Sequence, residues 1–294
     1  MIVEVRSWKT VNSKKLLILN RKMKFAFYCF ILTFASASQL FSQEFSGQII
    51  NKKTGQVVEY VNIGVIGQNI GTVSDGTGKF TLQLDSQFDN DTIRVSRIGF
   101  YPFSAKVADF KKFQSQNIYL YERVFELDAV TVHHKTYKHK VLGVTAKTTR
   151  IIAGFKDNIL GYELGILMKI RKSARLEEIN INFGRCTYDS IFYRVNVYEM
   201  KGKMKFENIL NEPIYLKLAK ENIGKTVVID LKSYNIVTQG NVLVTLEHVR
   251  NLGPGFLYFS SSLANRTYYR KTSEGKWDSA PVGISISLKA QVEQ

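Results

Sequence analysis

Gly71-Thr-Val-Ser-Asp-Gly-Thr-Gly-Lys-Phe-Thr-Leu-Gln-Leu84 carries two short β runs on either side of a glycine turn, and this stretch decides the fold class. From Lys79 to Leu84 polar and apolar residues alternate, the period of a strand with one buried face. Asp75 is placed to cap the turn with its carboxylate, while Gly76 and Gly78 supply the positive φ that a tight reversal needs. The same rhythm continues outward. Upstream lie Phe45–Ile50, the turn Asn51-Lys-Lys-Thr-Gly55 and the β run Val57–Ile66. Downstream lie Thr92–Ser96, Ile98-Gly-Phe-Tyr101, Gln116–Leu120 and Asp128–Val132. Short strands with a turn signal every 8–12 residues or so predict an antiparallel sandwich.

Several of these motifs occur in an order that is specific. Gly47-Gln-Ile49, Thr54-Gly55, Tyr60-Val-Asn-Ile63, Gly71–Asp75, Gly78-Lys-Phe80, Val95-Ser-Arg-Ile-Gly-Phe-Tyr-Pro102 and Leu127-Asp-Ala-Val130 together resemble the carboxypeptidase-regulatory-like domain. The resemblance covers residues 44–132. It implies a transthyretin-like Greek-key sandwich of the kind common in exported proteins of Bacteroidota, where it often precedes the plug of an outer-membrane transporter. The module implied is structural or docking, with no catalytic residues to carry over. Asp75, Thr77 and Asp85 also suggest a calcium loop, but the acidic spacing of an EF-hand is missing, so the turn reading is preferred.

The N-terminus bears on compartment. Arg21, Lys22 and Lys24 precede the apolar run Phe25–Ala35, and the small residues Ser36-Ala-Ser38 follow. That is the plan of a secretory signal peptide over residues 1–43, and its apolar core is shorter than the ~20 residues of a spanning helix. The unusually long basic region points to a translation start at Met23; the competing reading keeps the leader as an anchor. Either way export is expected, to the periplasm or the outer-membrane surface.

The chain of 294 residues carries a net charge of +16. The excess is uneven: residues 1–43 hold 7 Lys or Arg against 1 acid, residues 44–132 hold 9 against 10, and residues 133–294 hold 25 against 14. A concentrated basic groove would attract nucleic acid or acidic glycans; lysines spread over a solubilising surface explain the count more simply. Cys29 lies in the leader, which leaves Cys186 without an intramolecular disulfide partner, read as a small structural side chain.

Residues 133–161 open with His133-His-Lys-Thr-Tyr-Lys-His-Lys140, which is polar and basic and breaks the strand rhythm. The expectation is a solvated linker without a metal site. Residues 162–294 return to β character in eight or nine runs, among them Glu163–Ile170, Leu176–Phe183, Ile191–Tyr198, Val242–Val249 and Gly283–Ala290. An all-β chain follows: a Greek-key sandwich, then a second antiparallel sandwich of jelly-roll type.

No His-x-x-Glu zinc pair, Gly-x-Ser-x-Gly elbow or P-loop is present, and no cofactor is expected. Glu163, Glu177, Glu178, Glu199 and Glu247 are available for two-carboxylate glycoside chemistry, but acids on a wet strand face are the default reading. For ligand binding the residues to watch are Arg266, Tyr268, Tyr269, Arg270 and Trp277, with aromatic faces for stacking and guanidinium forks for anions. The expected function is an exported, non-catalytic envelope module that binds a protein or glycan partner. The alternatives are a glycan-active enzyme, marked by two carboxylates in a groove, and a polyanion or nucleic-acid binder, marked by a basic stripe on residues 133–294.

Overall fold

The computed structural model describes residues 43–112, 117–124, 136–224 and 226–294. The leader through residue 42, the strand expected at 128–132, the Leu127–Val130 motif and His133 and His134 lie outside them.

The first unit is two small sheets packed face to face. In one, Gln43–Asn51 runs antiparallel to Lys79–Leu84 and parallel to Asn117–Leu120. In the other, Gly71–Val73, Asn62–Val65, Thr92–Ser96 and Phe103–Lys106 pair antiparallel in that order. Strand alternation sends Phe80, Leu82 and Leu84 inward from one sheet and Ile63, Ile93 and Val95 inward from the other, into one core with Ile49 and Leu120. Each such side chain contributes roughly 1.5–3 kcal/mol through burial. Asp75 caps its turn as expected: its Oδ1 accepts from the backbone N–H of Thr77 (2.8 Å), the Thr77 hydroxyl (2.7 Å) and the N–H of Lys79 (3.0 Å). Of the two glycines expected to take a positive φ, Gly78 does (73°) and Gly76 does not. The run Val57–Ile66 is shorter as a strand than its composition suggests, with only Asn62–Val65 in the ladder. Tyr60 interrupts it with φ 52°, a conformation rare for a bulky residue.

The second unit is built around one 19-residue strand, Glu163–Ile181. The sequence suggests two strands here, because Arg171 and Lys172 break the apolar alternation. In fact the chain carries on through an irregularity between Ile170 and Ala174, where a bulge lets a long strand bend. Its first half pairs with Val237–His248 and Thr267–Arg270, and its second half with Val227–Asp230 and Ile286–Glu293. Ser190–Gly202 extends the sheet beyond Val237–His248. A smaller sheet of Ile152–Phe155, Phe183–Cys186, Leu257–Ser262 and Gly283–Ile284 completes this all-β unit.

Within the expected linker, residues 136–161 are part of the second unit's sheets. Tyr137–Gly143 pairs antiparallel with Ile286–Glu293, and Ile152–Phe155 pairs with Leu257–Ser262. The first of these is almost wholly exposed. A strand at a sheet edge is held mainly by its ladder and is protected by lysines, so its sequence has the look of a solvated tether. His139 belongs to it, with Nδ1 2.9 Å from Glu177 Oε2.

The two sandwiches are welded together. A Cβ on Gly64 would lie 2.2 Å from the backbone oxygen of Ser273, and one on Gly71 would lie 2.4 Å from the same atom. Neither glycine has a positive φ, so it is the approach of the second unit's backbone that requires them. Around that contact, Gly67 N–H donates to the carbonyl of Glu274 (2.9 Å) and the Ser96 hydroxyl to Glu274 Oε1 (2.7 Å). The Tyr60 ring sits 5.1 Å from Phe192 and 5.5 Å from Tyr215.

Candidate functional site: an arginine-lined cleft between the sandwiches

Four neighbouring strands of the large sheet put Arg194, Glu247, Glu163 and Arg270 directly opposite one another in a single lateral row. Like charges at the centre of such a row repel; the flanking guanidiniums and the next row of side chains compensate. Glu247 Oε2 accepts from Arg194 Nε (3.0 Å) and Nη2 (2.7 Å). Glu163 Oε2 accepts from Arg270 Nε at 2.6 Å. Asn196 Nδ2 lies between the acids and donates to both, 2.8 Å to each. Thr245 Oγ1 donates to Glu163, and the Tyr198 hydroxyl lies 3.3 Å from it. All of these residues are buried, both glutamates completely.

Burial acts to raise the pKa of both acids. For Glu247 the paired Arg194, with Arg270 beyond it, outweighs burial and the carboxyl titrates below its ordinary range. For Glu163 burial wins over Arg270, aided by the negative charge of Glu247, and the pKa is raised. The reading of these acids as groups on a wet face is therefore corrected. The sheet buries that face because the first sandwich and the Thr272–Gly275 loop cover it. Arg194 is the bridge: Nη1 donates to the carbonyl of Tyr60 at 2.7 Å, and Nη2 donates to Asn62 Oδ1. The left-handed backbone at Tyr60 thus points its carbonyl at a buried cation of the other unit.

Above this network lies a cleft of about 430 Å³. The first sandwich contributes Arg94, Arg97, Phe100 and Arg123, and the second contributes Arg194, Tyr198, Phe206, Glu207, Arg270 and Glu274. Glu163 and Glu247 do not line it. Arg97 stacks over Phe100, with its guanidinium carbon 5.4 Å from the ring centroid. The Nε atoms of Arg94 and Arg97 are buried without a hydrogen-bond acceptor.

The residues singled out from sequence divide. Arg270 reaches the cleft. Trp277 packs 5.2 Å from Arg270, 5.8 Å from Tyr198 and 5.1 Å from Phe206, and Tyr268 packs 6.0 Å from Phe206, so both support the cleft wall. Tyr269 points to the opposite face, against Tyr162 at 6.5 Å, and Arg266 is exposed and donates to Ser279 Oγ at 3.0 Å. Sequence reasoning missed Arg94, Arg97, Arg123, Arg194 and Asn62. Arg94 left one trace, a cation on the outward face of a strand otherwise typical of a sandwich.

A second buried cluster stands apart. His248 is fully buried and stacks on Tyr193 at 5.1 Å; burial, only partly offset by the Arg250 backbone, lowers its pKa to about 4. Cys186 is a free thiol whose Sγ lies 3.7 Å from the Tyr188 carbonyl, and burial raises its pKa. That suits a structural side chain. Among the described residues no group of three or more His, Cys, Asp or Glu is arranged to hold a metal ion. No helix among them is long and apolar enough to cross a membrane.

No curated protein matches the chain. Among solved structures it is similar to the VP2 subviral particle of infectious bursal disease virus, with 9% identity and a TM-score of 0.17 over 87% of this chain and 65% of that one. It is also similar to a mutant VP2 of the same virus in derived T=1 particles, with 8% identity and a TM-score of 0.15 over 86% of this chain and 78% of that one. The chain spans about 65% of the length of the first of these, and likeness at that level establishes no shared fold. The family comparison is informative for the N-terminal unit. Residues 45–132, which supply Arg94, Arg97 and Arg123 to the cleft, are a CarboxypepD_reg-like domain.

Proposed function

We propose that the protein is an exported, non-catalytic module of the cell envelope that binds a protein or glycan partner through the cleft between its two sandwiches. The observation that carries this reading is the division of charge: five arginines line the cleft, while the two converging carboxylates lie beneath it, buried and paired. Two-carboxylate hydrolysis needs both acids within reach of the scissile bond, and these two are behind their own arginines. CarboxypepD_reg-like domains are regulatory, non-catalytic modules, which fits. A nucleic-acid interface would need a basic stripe; a pocket lined in equal measure by the two sandwiches has the shape for one compact group.

The test is to tag the full chain in its native envelope, read the mature N-terminus, and compare retained partners and glycan-array binding with an Arg97→Glu variant. Export and a binding signal lost in the variant are the expected results. Release of a cleaved glycan product, or a cytosolic chain with its leader intact, would overturn the reading.

A further inference from the structure

The cleft has a chemistry of its own that goes deeper than docking, and the inference rests on the docking reading above. We propose that it holds one compact oxyanion, a carboxylate or a phosphoryl group carried by the ligand, between Arg94 and Arg97 of the first sandwich and Arg270 of the second.

Three observations support it. The first is the unmatched donors. Arg94 and Arg97 each bury an Nε–H with no acceptor, and both line the cleft. A buried donor on a charged group is costly to leave unsatisfied, and an incoming anion satisfies both at once.

The second is the charge balance. Arg194 and Arg270 are already matched from below by Glu247 and Glu163. Two acids face the cleft: Glu274, which accepts from Ser96 and acts on the charge of Arg270, and Glu207, which lies 4.0 Å from Lys201. With the two buried glutamates they make four acids against the five arginines of the wall. The wall arginines therefore keep a surplus of positive charge inside a partly enclosed, low-dielectric space, where it acts more strongly than on an open surface.

The third is preorganisation. Arg97 is braced on Phe100, and Arg270 on Trp277 with its Nε held by Glu163 and its Nη2 by Tyr198. Little freedom is therefore lost when Arg97 closes its planar fork on an oxyanion and Arg270 meets it with its remaining N–H groups. A fork of this kind takes two oxygens of a carboxylate or phosphoryl group and has no use for a neutral hydroxyl. The volume of about 430 Å³ falls within the usual range for small-ligand pockets.

The experiment is calorimetric titration of the full chain with inorganic phosphate, with glucuronate and with glucose as the uncharged control. Saturable binding of phosphate or glucuronate, absent with glucose and weakened by salt, is expected; whichever of the two binds more tightly identifies the group. Arg97→Gln should weaken binding by about tenfold or more, while Arg97→Lys, which keeps the charge and loses the fork, should recover part of it. The urea midpoint of each variant checks folding, and the bound anion should also raise the melting temperature of the unmodified chain. Equal binding by the parent chain and Arg97→Gln would overturn the assignment, as would no saturation by either anion up to about 10 mM. If neither anion binds yet Arg97→Glu still loses the envelope partner, docking stands and the oxyanion falls. If that variant keeps the partner as well, both fall.

Discussion

The two sandwiches bury polar groups in opposite ways. The first holds a small, largely apolar core with no buried ion pair among its described residues, and the carboxylate of its Asp75 turn finds every partner within four residues along the chain. The second runs a row of four charged side chains through its interior, with partners 53 and 107 residues apart in sequence. One region is stabilised by patterns readable over a few residues, the other by pairings that exist only once distant strands align. A buried ion network also specifies more than it stabilises, because its desolvation cost offsets much of its attraction. Here it does so at the face that receives the first sandwich.

The contrast breaks most completely at the weld. Gly64→Leu should cost more than about 4 kcal/mol, because even the first side-chain carbon meets the Ser273 backbone oxygen at 2.2 Å. Gly64 has no positive φ, and the three atoms nearest to an added Cβ all belong to Ser273 and Glu274 of the second unit, so the clash falls on the weld. Urea unfolding is expected to pass from one transition to two, as the sandwiches come apart before they melt. A single unshifted transition would mean that the contact is dispensable.

Next in size is Arg194→Met. It leaves Glu247 buried without its main partner and should cost about 3–5 kcal/mol. Adding Glu247→Leu should restore much of that loss, since an apolar pair carries no desolvation penalty. Equilibrium unfolding of both variants measures the difference, and a double variant no better than the single would show that the row does more than neutralise itself.

His248 sharpens the comparison from the pH side. Its folded pKa is depressed to about 4 from an ordinary 6.5, so the unfolded chain takes up the proton first. Stability from the neutral, buried ring is fully present above about pH 6.5 and is lost as pH falls toward 4, by up to about 3 kcal/mol. His248→Phe should flatten the stability profile between roughly pH 6.5 and 5, above the range where the carboxylates dominate. An unchanged slope in that interval would assign the acid sensitivity to other groups.

The smallest effect belongs to the first sandwich. Asp75→Ala removes three acceptor contacts in an exposed turn and should cost about 1 kcal/mol, read as a small shift in the urea midpoint with the fold intact.

Much of the first sandwich was legible in advance. Alternation at Lys79–Leu84, the Asp75 cap with Gly78 and the order of motifs up to Pro102 all depend on neighbours within a few residues. The strand Tyr137–Gly143 was not legible, because an edge strand rich in lysine has the composition of a tether. The site was legible only in part. Arg270 and its aromatic support belong to one short strand and the turn after it, and sequence reasoning found them. Arg94 and Arg97 were missed because an arginine on an outward strand face looks solvated until another surface covers it.

From its own residues, this chain determines where strands alternate and where the backbone must turn, since steric limits on φ and side-chain period act over two to four residues. Tertiary structure alone decided that the outward faces of two sandwiches would be pressed together, turning Gly64 into a point of close approach, Glu163 and Glu247 into buried ions, and Arg94 and Arg97 into the wall of a cleft. The reason is physical: a side chain's direction is set by its own strand, but the water around it is removed by whatever packs opposite.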